Sequence, residues 1–386
     1  MKIIIGADIV PTNTNMAYFE GAEISKLVDD GIIEVLKCAD FRILNLEVPL
    51  TNSMTPIVKC GPNLIASRES IRGIKALGID FLTLANNHIL DQGKQGLQST
   101  IDVLQKENIK YCGAGMNIEE ARQPYVYENA EGKKIGIYCC AEHEFSIAAE
   151  DKEGANPFDP LLSLKDISSL REQCDFTMVL YHGGKELYQY PSPYLRKVCR
   201  RIVDEGADLV VCQHTHCIGC EEKYHGATIV YGQGNFLFDL SDSELWKTSL
   251  LISLNLNSNN CIEYIPIIKN GNSVSLASDK DKVQILNDFY DRSKHIVDDK
   301  FIENVYEKHV AGEFDKYMAF IQGKRFRSIT FRVLNKLTGY RLRNMIMNRT
   351  YSTEEIACLI NLLECEVHRE SFLVSLKNKL EQLSKQ

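Results

Sequence analysis

The chain has 386 residues, 44% hydrophobic and 25% charged, and its 44 Lys and Arg against 52 Asp and Glu give a formal net charge of −8. That length exceeds the roughly 100 to 200 residues of one ordinary domain and predicts a large domain with an appendage. The composition excludes a disordered, collagenous or disulfide-scaffold chain, and the acidic balance argues against a nucleic-acid partner. The opening MKIIIGADIV holds too short an apolar run for an export signal, and nothing elsewhere reaches the roughly 18 apolar residues of a membrane span. Thirteen cysteines, an odd number set within apolar segments, suit reduced thiols. These features predict a cytoplasmic protein.

Along the chain, short apolar runs ending in polar clusters read as strands at 2–6, 41–46, 81–84, 134–139, 176–180, 209–212 and 228–231. Between them, three- and four-residue apolar spacing predicts helices at 23–38, 67–77, 95–108, 163–173 and 193–205. Two more alternating strands, at 247–255 and 262–269, predict an antiparallel close to the sheet. The alternation is that of an α/β domain, expected over 1–277. From 278 to 386 glycine is sparse, proline is absent and helical periodicity takes over, which predicts a helical C-terminal region. Within it, 322–350 holds eight basic residues (Lys324, Arg325, Arg327, Arg332, Lys336, Arg341, Arg343, Arg349) and no acidic one, interleaved with Phe326, Ile329, Phe331, Leu334, Leu337, Leu342 and Met345. Such a stretch suits an anionic membrane surface, an acidic polymer or a partner protein such as a synthase; the plainer reading is a solvated face over a core stripe.

In open α/β sheets ligands bind beyond the carboxyl ends of the strands. Those ends carry Asp8; Glu47; Asn86, Asn87 and His88, then Asp91; Glu142, His143 and Glu144; His182 and Glu186; His214 and His216; and Asn235 and Asp239. Five of the nine histidines fall there. One such histidine is more often structural than functional, so the coincidence carries the inference. Nitrogen and oxygen donors without thiolate suit a divalent cation. Glu47, on a middle strand, is placed to bridge two metals about 3.5 to 4 Å apart, and His214 and His216 would project together from an extended segment.

The motifs GAD (6–8), NLEVPLT (45–51), GIDFLTLANNHILDQG (78–93), YHGGKE (181–186), CQHTHC (212–217) and YGQGNFLFD (231–239) resemble, in order, those of the CapA family. This is the poly-γ-glutamate and capsule biosynthesis group of the calcineurin-like metallophosphatase superfamily. The resemblance implies a metallo-dependent phosphatase-like four-layer αββα sandwich. It implies metal ligands at Asp8, Glu47, Asn87, His182, His214 and His216, with His88 as catalytic acid, Asp91 orienting it and Glu186 as a further catalytic residue. Two departures stand out. Val10 stands where the superfamily has a metal-binding histidine, and Glu47 stands where it has a bridging aspartate. Lys59, His143 and Asn235 are candidate substrate contacts. Cys217 and Cys220 lack the second spaced pair of a structural zinc site.

The resulting expectation is a CapA-type hydrolase holding one or two divalent cations, Mn²⁺ or Zn²⁺. Its substrate would be an anionic small molecule or polymer, cleaved at a phosphoester or amide bond in cell-surface polymer metabolism, with His88 protonating the leaving group. Two other readings stay open: an epimerase abstracting a proton alpha to a carbonyl, and a non-enzymatic accessory protein for capsule or polyglutamate synthesis. In the accessory reading, 322–350 would give a peripheral membrane or synthase contact.

Overall fold

A computed structural model describes residues 1–257, 260–311, 313, 317, 321, 328–339, 341–364 and 366–384. A first compact unit runs Met1–Tyr306. Its strands are β1 (Lys2–Ile9), β2 (Phe41–Leu46), β3 (Phe81–Thr83), β4 (Lys110–Cys112), β5 (Ala114–Gly115), β6 (Tyr125–Glu128), β7 (Lys134–Ala141) and β8 (Gly154–Ala155). They continue as β9 (Phe176–His182), β10 (Leu209–Gln213), β11 (Glu221–Tyr224), β12 (Ala227–Tyr231), β13 (Asn235–Leu237), β14 (Thr248–Asn255), β15 (Cys261–Asn270) and β16 (Ser273–Leu276). One sheet has the order β16-β15-β14-β1-β2-β3-β4 with β13 beside β1, and the other β11-β12-β10-β9-β7-β6. β5 pairs with β8 alone.

The period-two alternation of the second sheet makes the layers. Ile135, Ile137, Met178, Leu180, Leu209 and Val211 share one core with the first sheet. Their neighbours Tyr138, Val179, Tyr181, Val210 and Cys212 pack instead with Ile167 and Leu170 of the helix Ser163–Arg171 and Leu195, Val198 and Ile202 of the helix Pro193–Asp204. On the first sheet, the helices Asp30–Lys37, Ile71–Ala76 and Gly93–Glu107 add Ile32, Leu36, Ile74, Leu97 and Leu104. Each fully buried aliphatic side chain contributes about 1.5–3 kcal/mol. The result is the four-layer αββα sandwich.

The helix expected at 23–38 is two pieces, Ile24–Leu27 and Asp30–Lys37. Asp29 breaks it by capping the second piece, accepting from the Ile32 N–H at 2.8 Å, while Val28 is extended and bridges to Val274. The first unit also passes the boundary expected at 277. Phe289, on the helix Asp279–Ser293, is fully buried with its ring centroid 4.7 Å from that of Tyr264. Arg292 donates to the Ile218 and Gly219 carbonyls, Arg196 to the Ile296 carbonyl and to Asp299, and Ile296 and Ile302 are buried. The span 278–306 thus completes the core rather than opening an appendage.

The second unit, Glu307–Gln386, contains the helices Ile329–Leu337, Arg341–Thr350, Thr353–Glu364 and Glu366–Ser384. Lys324, Arg325, Phe326 and Arg327 of the basic stretch lie outside the described residues. Among the described residues no helix is long and apolar enough to cross a membrane.

Phe289→Ala in the full chain should lower stability by about 3–5 kcal/mol in urea unfolding. A change below about 0.5 kcal/mol, the surface-substitution range, would return the boundary to 277.

Candidate metal centre

The first sheet builds half of the site where β1 changes partners. Lys2–Ile5 pair antiparallel with β14, whereas Asp8 pairs in parallel with Asn235 of β13 on one side and Asn45 of β2 on the other. Three polar residues therefore stand abreast. The Asn45 amide donates to Asp8 Oδ1 at 2.7 Å and lies 3.3 Å from His182 Nδ1. Asn86 in turn donates to Asn45 Oδ1 at 3.1 Å and to the Leu46 carbonyl at 2.9 Å. Glu47 follows β2 directly and is fully buried.

The second sheet supplies the imidazoles. His182 ends β9, and His214 and His216 follow β10. The extended segment expected for the last two is not what forms: φ is +81° at His214 and +53° at His216, in the left-handed region disfavoured for residues with a side chain. Between them Thr215 packs against Gly232, at φ +113°, where a Cβ would come within 2.6 Å of Thr215 Oγ1. The rings converge with the carboxylates. His214 Nδ1 lies 3.1 Å from His182 Nε2, which is 3.1 Å from Asn87 Oδ1 and 3.4 Å from Glu47 Oε1. His216 Nδ1 lies 3.3 Å from Asp8 Oδ2, and its Nε2 is 3.9 Å from Glu47 Oε1. Donor atoms of Glu47, His214 and His216 all fall within 4.8 Å of one another.

The electrostatics follow from burial. Burial, then the Asp8 charge, pushes the Glu47 carboxyl well above its usual range. Burial and the neighbouring imidazoles hold His182 well below its usual range and His214 at about 4. Both Glu47 oxygens and Asp8 Oδ2 are buried, with no hydrogen-bond donor among the described residues. Burying such groups unpaired is costly. Carboxylate oxygens lacking donors, facing neutral imidazoles, are the donor set a divalent cation requires, so the residues fit one.

Beside this cluster stands a second one. His88 Nδ1 lies 2.5 Å from Asp91 Oδ2, which also accepts from the Leu64 N–H at 2.6 Å. Lys59 does not offer its charge to a substrate: its side chain is 2% exposed, ion-paired with Asp91 and 3.2 Å from His88 Nδ1. Asn235 is also turned to structure, its Oδ1 lying 2.8 Å from His216 Nδ1. His143 and Glu186 are exposed, and Glu186 is near enough to raise the pKa values of Glu47 and His214. Val10 is buried and brings no side-chain donor. Burial pushes the Cys217 thiol up to about 12.

Asn86 and Glu144, both on the strand-end list, gain partners here: Asn86 donates to Asn45, and Glu144 accepts from Asn87 Nδ2 at 2.9 Å. Three residues lie outside that list: Asn45, which holds Asp8, and Trp246 and Phe238, which pack on the His216 ring with centroids 4.3 and 5.5 Å away. Asn45 did carry a signal, an amide set between the leucines Leu44 and Leu46 of a strand.

The profile of the family described as "Bacterial capsule synthesis protein PGA_cap" matches residues 5–240. The chain is 30% identical over 298 residues to the capsule biosynthesis protein CapA of Bacillus anthracis, covering 73% of this chain and 72% of that protein. It is 30% identical over 228 residues to the PGA biosynthesis protein CapA of Bacillus subtilis, covering 58% of this chain and 60% of that one. A "probable polyglutamine synthesis accessory protein" of Mycobacterium tuberculosis is 26% identical over 185 residues, covering 44% of this chain and 48% of that protein.

Lys59→Met should cost about 3–5 kcal/mol in urea unfolding, because Asp91 would be left buried without its cation. A loss below about 1 kcal/mol would return Lys59 to the surface charges. Calorimetric titration with Mn²⁺ or Zn²⁺ in buffers of different ionisation heat should show proton release and an affinity that rises with pH, since Glu47 must shed its proton to ligate. Glu47→Gln should remove the proton release; the same heats in every buffer for the unaltered chain would contradict the assignment.

Proposed function

Since this chain belongs to the PGA_cap family of bacterial capsule synthesis proteins, we propose that it is a metal-dependent hydrolase acting on a phosphoester or amide bond in capsule or poly-γ-glutamate metabolism. The observation that carries the reading is the set of donor-less oxygens on Glu47 and Asp8 set against neutral histidines. Asp8, Glu47, Asn87, His182, His214 and His216 would hold one or two divalent cations. Such a cation supplies Lewis acidity at the scissile carbonyl or phosphoryl oxygen.

The protein's own groups do the remaining work. Asn45 fixes Asp8 and His182 in one orientation, and Asn235 fixes His216. Asp91 accepts the Nδ1–H of His88, which sets the tautomer and leaves Nε2 as the ring nitrogen for proton transfer to the leaving group. Lys59 balances the Asp91 charge, so the carboxylate stays in place without drawing the proton off His88. Trp246 and Phe238 shield one flank of His216 from water.

A second reading, an accessory protein that binds metal or polymer without turning it over, is supported by the name of the mycobacterial relative. The two part on one experiment. Metal-loaded protein should hydrolyse a generic phosphodiester or a γ-glutamyl amide, and His88→Ala should lower turnover about 10²- to 10⁴-fold with metal content unchanged. Absence of turnover across both bond types with metal bound would leave the accessory reading, and undiminished turnover in His88→Ala would remove His88 as the acid.

A further inference from the structure

The described part of the basic stretch, 328–339 and 341–350, lies within the second unit. The helix Ile329–Leu337 begins at Ser328, whose Oγ accepts from the Phe331 N–H at 3.2 Å. Asn335, buried on its inner side, accepts from the Arg343 N–H at 2.9 Å, and Thr338 Oγ1 accepts from the Leu342 N–H at 3.3 Å. Those bonds tie the helix Arg341–Thr350 to the first as a hairpin. Phe331 is half-buried on the same inner side as Asn335.

The outer side is apolar and exposed. Ile329, Val333 and Leu337, at four-residue spacing along one stripe, are 74%, 52% and 77% exposed. Arg332 and Lys336 border the stripe and Arg341 opens the next helix, all three exposed. Against a whole-chain charge of −8, the span 322–350 has eight basic residues and no acidic one.

We propose that this hairpin docks the protein on an anionic lipid surface, laying Ile329, Val333 and Leu337 among the acyl chains with Arg332, Lys336 and Arg341 at the headgroups. Charge and apolarity together select that occupant. A soluble polyanion would satisfy the cations and leave three large aliphatic side chains in water. A second copy would set one basic span against another. An acidic lipid interface takes both features at once. The proposal is independent of whether the metal centre is catalytic.

Full-length protein should co-sediment with phosphatidylcholine vesicles containing phosphatidylglycerol and not with phosphatidylcholine alone. Binding should weaken as salt shortens the screening length. Replacing Arg332, Lys336 and Arg341 together by Ser should reduce the affinity about a hundredfold. The triple variant Ile329→Ser, Val333→Ser, Leu337→Ser should abolish sedimentation while its far-UV circular dichroism stays unchanged, as expected for exposed positions. No sedimentation at low salt, equal binding to both vesicle types, or undiminished binding of the apolar triple variant would each overturn the proposal. So would self-association in ultracentrifugation that the apolar triple variant removes, or binding of soluble poly-γ-glutamate in place of vesicles.

Discussion

The fully buried carboxylate of Glu47, with no hydrogen-bond donor on either oxygen, is the constraint around which the first unit is arranged. Folding alone gives no reason to place such a group between two sheets, since its desolvation opposes the folded state. The structure nevertheless surrounds it with a second carboxylate and imidazoles that burial holds neutral. A divalent cation reverses the balance, turning the donor-less oxygens into ligands. The sandwich serves this arrangement by aiming the ends of β1 and β2 from one sheet, and of β9 and β10 from the other, at one point.

Support for the centre lies in amides rather than charges. Asn45, Asn86, Asn87 and Asn235 each tie two site elements together. An amide can donate to a carboxylate and accept from an imidazole without adding net charge, so the carboxylates and imidazoles are held still with no cation added among them. Asp91 with Lys59 follows the same economy: a buried carboxylate is balanced locally, and His88 gains an orienting acceptor without an extra negative charge facing the metal side.

Much of this was legible in the sequence because strand ends and polar interruptions are local signals. The run 41–46 was read to the residue, and the strand-end candidates Asp8, Glu47, Asn87, His182, His214 and His216 converge in space. What escaped was non-local. Asp29 ending one helix and starting another depends on a strand pairing between Val28 and Val274. The role of Lys59 depends on a loop folding back over Asp91, and the left-handed backbone at His214 and His216 breaks the extended segment that a strand end suggests. The boundary moved from 277 to 306 because Phe289, Ile296 and Ile302 read as ordinary amphipathic-helix residues until their core partners are known.

The most direct test of the central claim is anomalous diffraction from crystals grown with Mn²⁺ or Zn²⁺, collected at the absorption edge of the metal. A peak about 2.0–2.3 Å from a Glu47 oxygen and from ring nitrogens of His182, His214 or His216 is the result predicted. Saturating metal with no peak among these residues, or a peak held elsewhere on the protein, would contradict the account.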